Sequence, residues 1–292
     1  MKWQGRRGSR NIEDRRGRST GARSGRASGG KAIGGVGLIA VLIIGYALGI
    51  DVTPLLNEVA GTSQVGSSRQ STEITAADEK AAQFVSVTLA DTEDIWTDLF
   101  QTQVGAEYSA PILVLYKDVT QSPCGGASGA TGPFYCPADR KVYLDTAFFT
   151  TMERQLGAGG DFAAAYVVAH EVAHHVQNEL GILGQANRVR AQSSVNEANA
   201  ISVRIELQAD CYSGIWARAA DARFDSLERG DLAEALNAAK QIGDDTLQKN
   251  AGRVPQPHTF THGTSKQRQN WFKIGYDTGD LRQCDTFSAS RL

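Results

Sequence analysis

Residues 163–180 read AAAYVVAHEVAHHVQNEL, and the fold and the chemistry both turn on this stretch. His170 and His174 are separated by one helical turn, so on an α-helix both imidazoles fall on one face and can share an ion, with Glu171 alongside to reach a water. The pattern is H-E-x-x-H. Ala164 to Ala169, Val172 and Ala173 carry no charge, which marks a core helix, and a core helix does not bury His and Glu without cost unless they are paired or ligated. The five histidines (170, 174, 175, 258 and 262) all lie in two groups between 170 and 262. His175, about 100° round the helix from His174, is expected at the surface or just behind the site.

An open zinc site needs a third protein ligand. The extended H-E-x-x-H-x-x-G-x-x-H arrangement is excluded, because Gln177 and Leu180 stand where it requires Gly and His. Downstream, Glu206-Leu-Gln-Ala-Asp210 again puts two carboxylates on one helix face. This pattern offers Glu206 as the third ligand and Asp210 as acceptor for the free N–H of a ligating imidazole, His170. Glu197 is the competing ligand. The expected cofactor is Zn2+.

Working outward, Ala76–Leu99 has three- and four-residue apolar spacing and reads as one or two helices; 111–116 (PILVLY) and 141–144 (KVYL) read as strands with a Gly/Ser-rich loop between them. Helical patterns follow over 161–180, 187–220, 231–250 and 265–276. The expectation is an α+β domain, mainly helical with a small sheet, over 76–286. Cys124, Cys136, Cys211 and Cys284 contain no C-x-x-C, and outside the cytoplasm an even count points to disulfides. Cys124–Cys136 would close the Gly-rich loop, and Cys211–Cys284 would tie the tail to a core helix. Buried free thiols are the alternative.

The chain has 292 residues with a net charge of −2, a balance that removes whole-protein charge as an argument for nucleic acid, and none is expected as a partner. The average hides a split: residues 1–31 hold ten basic side chains against Glu13 and Asp14, a local +8 that leaves −10 for the rest. Arg, Gly and Ser dominate this arm, which reads as disordered. Residues 32–50 (AIGGVGLIAVLIIGYALGI) carry no charge and are long enough for one transmembrane helix, with a cleaved signal peptide or a buried helix as rivals. A single span with the basic arm cytoplasmic would put the main domain in the periplasm or outside the cell. Residues 51–75, rich in Gly, Ser, Thr and Gln, read as a linker.

The His170–His174 pair with Glu206 and Asp210 resembles a gluzincin, the zinc-peptidase group typified by thermolysin. The wider set is similar to the bacterial membrane-anchored neutral zinc metallopeptidases: MKWQGRR at the start, EDRRG at 13–17, FYCPAD at 134–139, VYLD at 142–145, AHEVAHHVQ at 169–177, ELQADCYSGIWA at 206–217 and THGTSKQRQNWF at 261–272. The resemblance implies a zincin-like fold acting on a peptide or protein substrate. Zinc would be held by His170, His174 and Glu206, and Glu171 would be the general base. His262 would steady the oxyanion, with Tyr212 and His258 as other candidates and Arg268 as a possible brace or an ordinary surface arginine. Strand 142–144 would be the edge that aligns an extended substrate. The other reading from a different class is a zincin-fold envelope protein that binds a partner with little turnover.

Overall fold

The structure is a computed structural model that describes residues 1–17, 73–128 and 132–292. The expected membrane span, 32–50, and the linker up to residue 72 lie outside the described residues. No helix among the described residues is long and apolar enough to cross a membrane.

The strands are β1 (Ile12–Asp14), β2 (Ile112–Tyr116), β3 (Val119–Ser122), β4 (Gly125–Ser128), β5 (Phe134–Cys136) and β6 (Lys141–Asp145). The helices are α1 (Ala76–Leu99), α2 (Phe148–Leu156), α3 (Asp161–Glu179), α4 (Ile182–Arg190), α5 (Val195–Phe224), α6 (Asp231–Gln241), α7 (Asp244–Asn250) and α8 (Ser265–Thr278). One sheet has the order β1-β2-β6-β5, and β3–β4 form a separate antiparallel hairpin. This is the expected α+β class.

Local sequence explains the main boundaries. Thr75 with Asp78, Ser194 with Glu197 and Thr264 with Gln267 form capping boxes at the starts of α1, α5 and α8. Such a cap is worth about 1 kcal/mol each because it satisfies N–H groups the helix leaves open. The helical stretch expected over 187–220 is two helices, broken at 191–194 where Ser194 caps the second; the one over 231–250 is broken at Gly243. Both disulfides are present with the expected pairing, Cys124–Cys136 and Cys211–Cys284.

Helix α3 is the centre of the body, packed against β5 and β6 as well as α1, α5 and α6. Helices α5 and α8 approach backbone to backbone, and two glycines permit it: a Cβ on Gly275 would lie 1.8 Å from the Cys211 carbonyl oxygen, and one on Gly214 would lie 2.0 Å from that of Phe272. This close crossing carries the polar face of α8 to the polar face of α5.

The arm departs most from its expected behaviour. Residues 1–17 are ordered against the body, with Met1 and Trp3 buried in the core and Trp3 edge-on to Phe84. Strand β1 pairs in parallel with β2, Ile12 opposite Leu113 and Asp14 opposite Leu115. Composition alone reads as disorder because nothing local drives β1 to extend; the exposed edge of β2 supplies the hydrogen bonds. The folded body is therefore 1–17 together with 73 onward. Strand β6 is also not an edge, since β2 and β5 flank it, and β5 takes the edge position.

Candidate metal centre

Positions 166, 170 and 174 on α3 form one stripe, and positions 206 and 210 on α5 form the stripe that faces it. His170 Nε2 lies 3.0 Å from Glu206 Oε2, and His174 Nε2 lies 3.5 Å from Glu206 Oε1. Ligand atoms of these three residues all fall within 4.8 Å of one another. The edge of a zinc tetrahedron with bonds near 2.0–2.1 Å is about 3.3 Å, so the two imidazoles and the carboxylate suit zinc in both spacing and donor type.

The far side of each ring fixes its orientation. His174 Nδ1 donates to Gln177 Oε1 at 2.9 Å, which leaves Nε2 with a lone pair toward Glu206. Gln177 is itself fully buried, and its Nε2 donates to the Ile205 carbonyl and to Gln208 Oε1, so its amide can point only one way. His170 Nδ1 sits 3.0 Å from Asp210 Oδ1, at ion-pair distance though not aligned as a hydrogen bond. Asp210 is then gripped by others: Tyr166 Oη donates to Oδ1 at 2.5 Å, while Arg268 reaches Oδ2 through Nε at 2.8 Å and Oδ1 through Nη2 at 3.0 Å.

The charges are mutually dependent. Burial works against charged His170, but Asp210 and Glu206 outweigh it and hold the ring up to about 9. Burial also opposes the Glu206 carboxylate, and the facing His174 and His170 bring it well below its usual range. Asp210 is lowered in the same way by Arg268 and His170. Glu171 is the exception. Burial dominates there and pushes its carboxyl up, with His174 and His170 opposing.

His170, His174, Glu206, Glu171, His262 and Arg268 all line one cavity of about 430 Å³. Its remaining walls are largely apolar, from Pro133, Phe134, Phe148, Val167 and Leu183 among others. His262 is anchored by Asp244, whose Oδ2 accepts the backbone N–H groups of Thr261, His262 and Gly263 while Oδ1 lies 3.3 Å from His262 Nδ1.

Several sequence candidates fall elsewhere. Glu197 is exposed and spent on the α5 capping box, so it is not a ligand. Tyr212 packs edge-on to Trp96 in the core, and His258 is exposed on a short turn; neither lines the cavity. His175 is neither at the surface nor behind the metal: it is fully buried, donating from Nε2 to the Ser109 carbonyl and accepting the Tyr135 hydroxyl at Nδ1. Arg268, 1% exposed, is no surface arginine. Tyr166 and Gln177 are the functional neighbours the sequence reading missed, and both lie at helical spacing from the histidines they serve.

The chain matches the family model described as "putative neutral zinc metallopeptidase" over residues 1–287. It belongs to this family. A similar protein is the "uncharacterized protein YpfJ" of Escherichia coli (strain K12), 49% identical over 99% of this chain and 100% of the relative. Another is the "uncharacterized protein Rv2575" of Mycobacterium tuberculosis (strain ATCC 25618 / H37Rv), 46% identical over 63% of this chain and 65% of the relative. No solved structure matches. The family description names zinc, and of the two acidic or His-containing clusters among the described residues that converge closely enough for a metal, His170–His174–Glu206 and Asp161–Asp231–Glu234, only the first offers imidazole donors.

Proposed function

We propose that the protein is a membrane-anchored zinc endopeptidase that hydrolyses peptide bonds of protein substrates, with His170, His174 and Glu206 as ligands and Glu171 as general base. One observation carries the reading: Glu171 lines the same cavity onto which the three ligand atoms converge, and a purely structural zinc site has no use for a buried carboxylate beside an open coordination position. Zinc bound there would supply a Lewis acid that polarises the scissile carbonyl and acidifies water. The Glu171 carboxylate would accept the water proton and deliver it to the leaving amine; its raised pKa suits both the uptake and the release. Asp210, held by Arg268 and Tyr166, keeps His170 in its ligating orientation, and Gln177 does the same for His174.

His262, braced on Asp244, would donate to the oxyanion. Edge strand β5, with Phe134 and Tyr135 on the cavity wall, replaces strand 142–144 as the rail for an extended substrate, since its outer backbone groups are not taken by β6. The two disulfides support a body outside the cytoplasm, and the uncharged run 32–50 supports association with a membrane, with or without crossing it.

The test is Glu171→Gln in the full chain, assayed on unfolded casein. The variant is expected to keep its zinc and lose at least ~100-fold in hydrolysis, the usual worth of a general base. Full activity in the variant contradicts the role of Glu171; a parent that binds zinc yet cleaves nothing contradicts the peptidase reading.

A further inference from the structure

The basic arm has a use inside the molecule. Lys2 Nζ meets Asp225 at 2.6 Å, Arg6 meets Asp91 at 2.5 Å and Arg7 meets Asp94 at 2.6 Å. Arg16 reaches Glu79 at 3.4 Å, and in return Lys141 of the body pairs with Glu13 of the arm at 2.8 Å. The arm's backbone is tied down as well: at the sheet Leu113 donates to the Asn11 carbonyl and Arg15 to that of Leu115, and elsewhere Ser9 donates to the Ser86 carbonyl of α1 and Lys2 to that of Ser226. The excess positive charge of the first 31 residues thus finds part of the negative charge that the sequence leaves on the rest.

The two ends of the intervening stretch also meet. Arg16 donates to the Asp78 carbonyl at 2.8 Å, and a Cβ on Gly17 would lie 3.8 Å from the Ile74 side chain. The described residues on either side of 18–72 therefore lie at one place on the body. A β-ladder and ion pairs of this length cannot form across a hydrocarbon layer roughly 30 Å thick. One crossing by residues 32–50 would put the arm and the body on opposite sides. A second crossing by residues 51–72 is opposed by Asp51, Glu58 and Arg69.

We infer that residues 1–17 lie in the same compartment as the His170–His174–Glu206 site, so that the uncharged run 32–50 does not separate them. Four of the basic residues that would favour a cytoplasmic arm by the positive-inside rule, Lys2, Arg6, Arg7 and Arg16, instead meet carboxylates of the body. The inference rests on the packing of residues 1–17 and is independent of whether the protein is a peptidase.

The structure supplies a direct test. A Cβ on Gly8 would lie 3.6 Å from Ser86 Cβ, inside the ~3.5–4.5 Å range of a disulfide, and the native cysteines are already paired. The full chain carrying Gly8→Cys and Ser86→Cys, with a specific protease site inserted within 51–72, is expressed in membranes, treated with diamide and cut. The two pieces should stay joined on a non-reducing gel and separate with dithiothreitol. A bond from the Gly8→Cys position of one copy to the Ser86→Cys position of another supports the same conclusion, because it too joins the two pieces and needs a shared compartment. Pieces that separate without reductant overturn it. As a second measurement that leaves the docked contacts intact, Gln4→Cys and Asn250→Cys, both at exposed positions, are labelled singly in intact spheroplasts with a membrane-impermeant maleimide. Equal labelling or equal protection is expected, and labelling of one with protection of the other overturns the inference.

Discussion

At the candidate metal centre Arg268 and Asp210 pair with side chains 2% and 0% exposed; at the start of the arm Lys2 and Asp225 pair at 53% and 89%. The contact distances are similar, 2.8 and 2.6 Å. Burial makes the difference. An exposed pair is worth about 0–1 kcal/mol, whereas a buried pair has already lost its water, so removing one partner strands the other at a cost of about 3–5 kcal/mol. The exposed Lys2–Asp225 pair therefore adds little, and the arm is held by the β1–β2 ladder, by buried Met1 and Trp3, and by its more buried pairs, the Met1 ammonium with Asp231 and Arg6 with Asp91. The centre is held in register by the charges themselves.

The comparison breaks first, if it breaks, at Arg268→Met. With Asp210 left facing only Tyr166 and His170, we expect about 3–5 kcal/mol of lost stability by denaturant unfolding. A loss below about 1 kcal/mol would make the centre no different from the arm. Gln177→Leu comes next, since it keeps the bulk and removes the acceptor for His174 Nδ1. Zinc affinity measured by competition with a chelator should fall ~10- to 100-fold, and unchanged affinity would leave Gln177 with a packing role only.

The smallest effect belongs to the arm. Arg15 and Lys141 hold Glu13 down at about 2 against an ordinary 4.5. The folded state therefore favours the ionised form; this stabilisation is complete above about 4.5 and is lost as pH falls toward 2. Glu13→Gln should lower the melting temperature at pH 7 by an amount corresponding to under about 1 kcal/mol, and the gap should shrink at pH 3. A gap that widens on acidification contradicts the assignment.

Legibility followed the range of the interactions. The ligands and Asp210 could be read because each pair sits at i, i+4 on its own helix, a period the sequence displays directly. Arg268 could not, because THGTSKQRQNWF is a polar string whose inward face is set by the Gly214–Gly275 approach of α8 to α5. The strand β1 is three residues, Ile-Glu-Asp, too short to show alternation, and it extends only because β2 offers an edge. Helix α2 does show a helical apolar spacing, Phe148, Phe149, Met152 and Leu156, but over only 9 residues, and the β3–β4 hairpin lay in the Gly/Ser-rich loop where no alternation was sustained.

The central claim is that two imidazoles and one carboxylate from α3 and α5 make a zinc site. The most direct measurement is elemental analysis of the purified full chain beside its Glu206→Ala variant. The account predicts one zinc per parent chain and a sharp loss in the variant; a folded parent without zinc, or a variant that keeps it, would contradict the site.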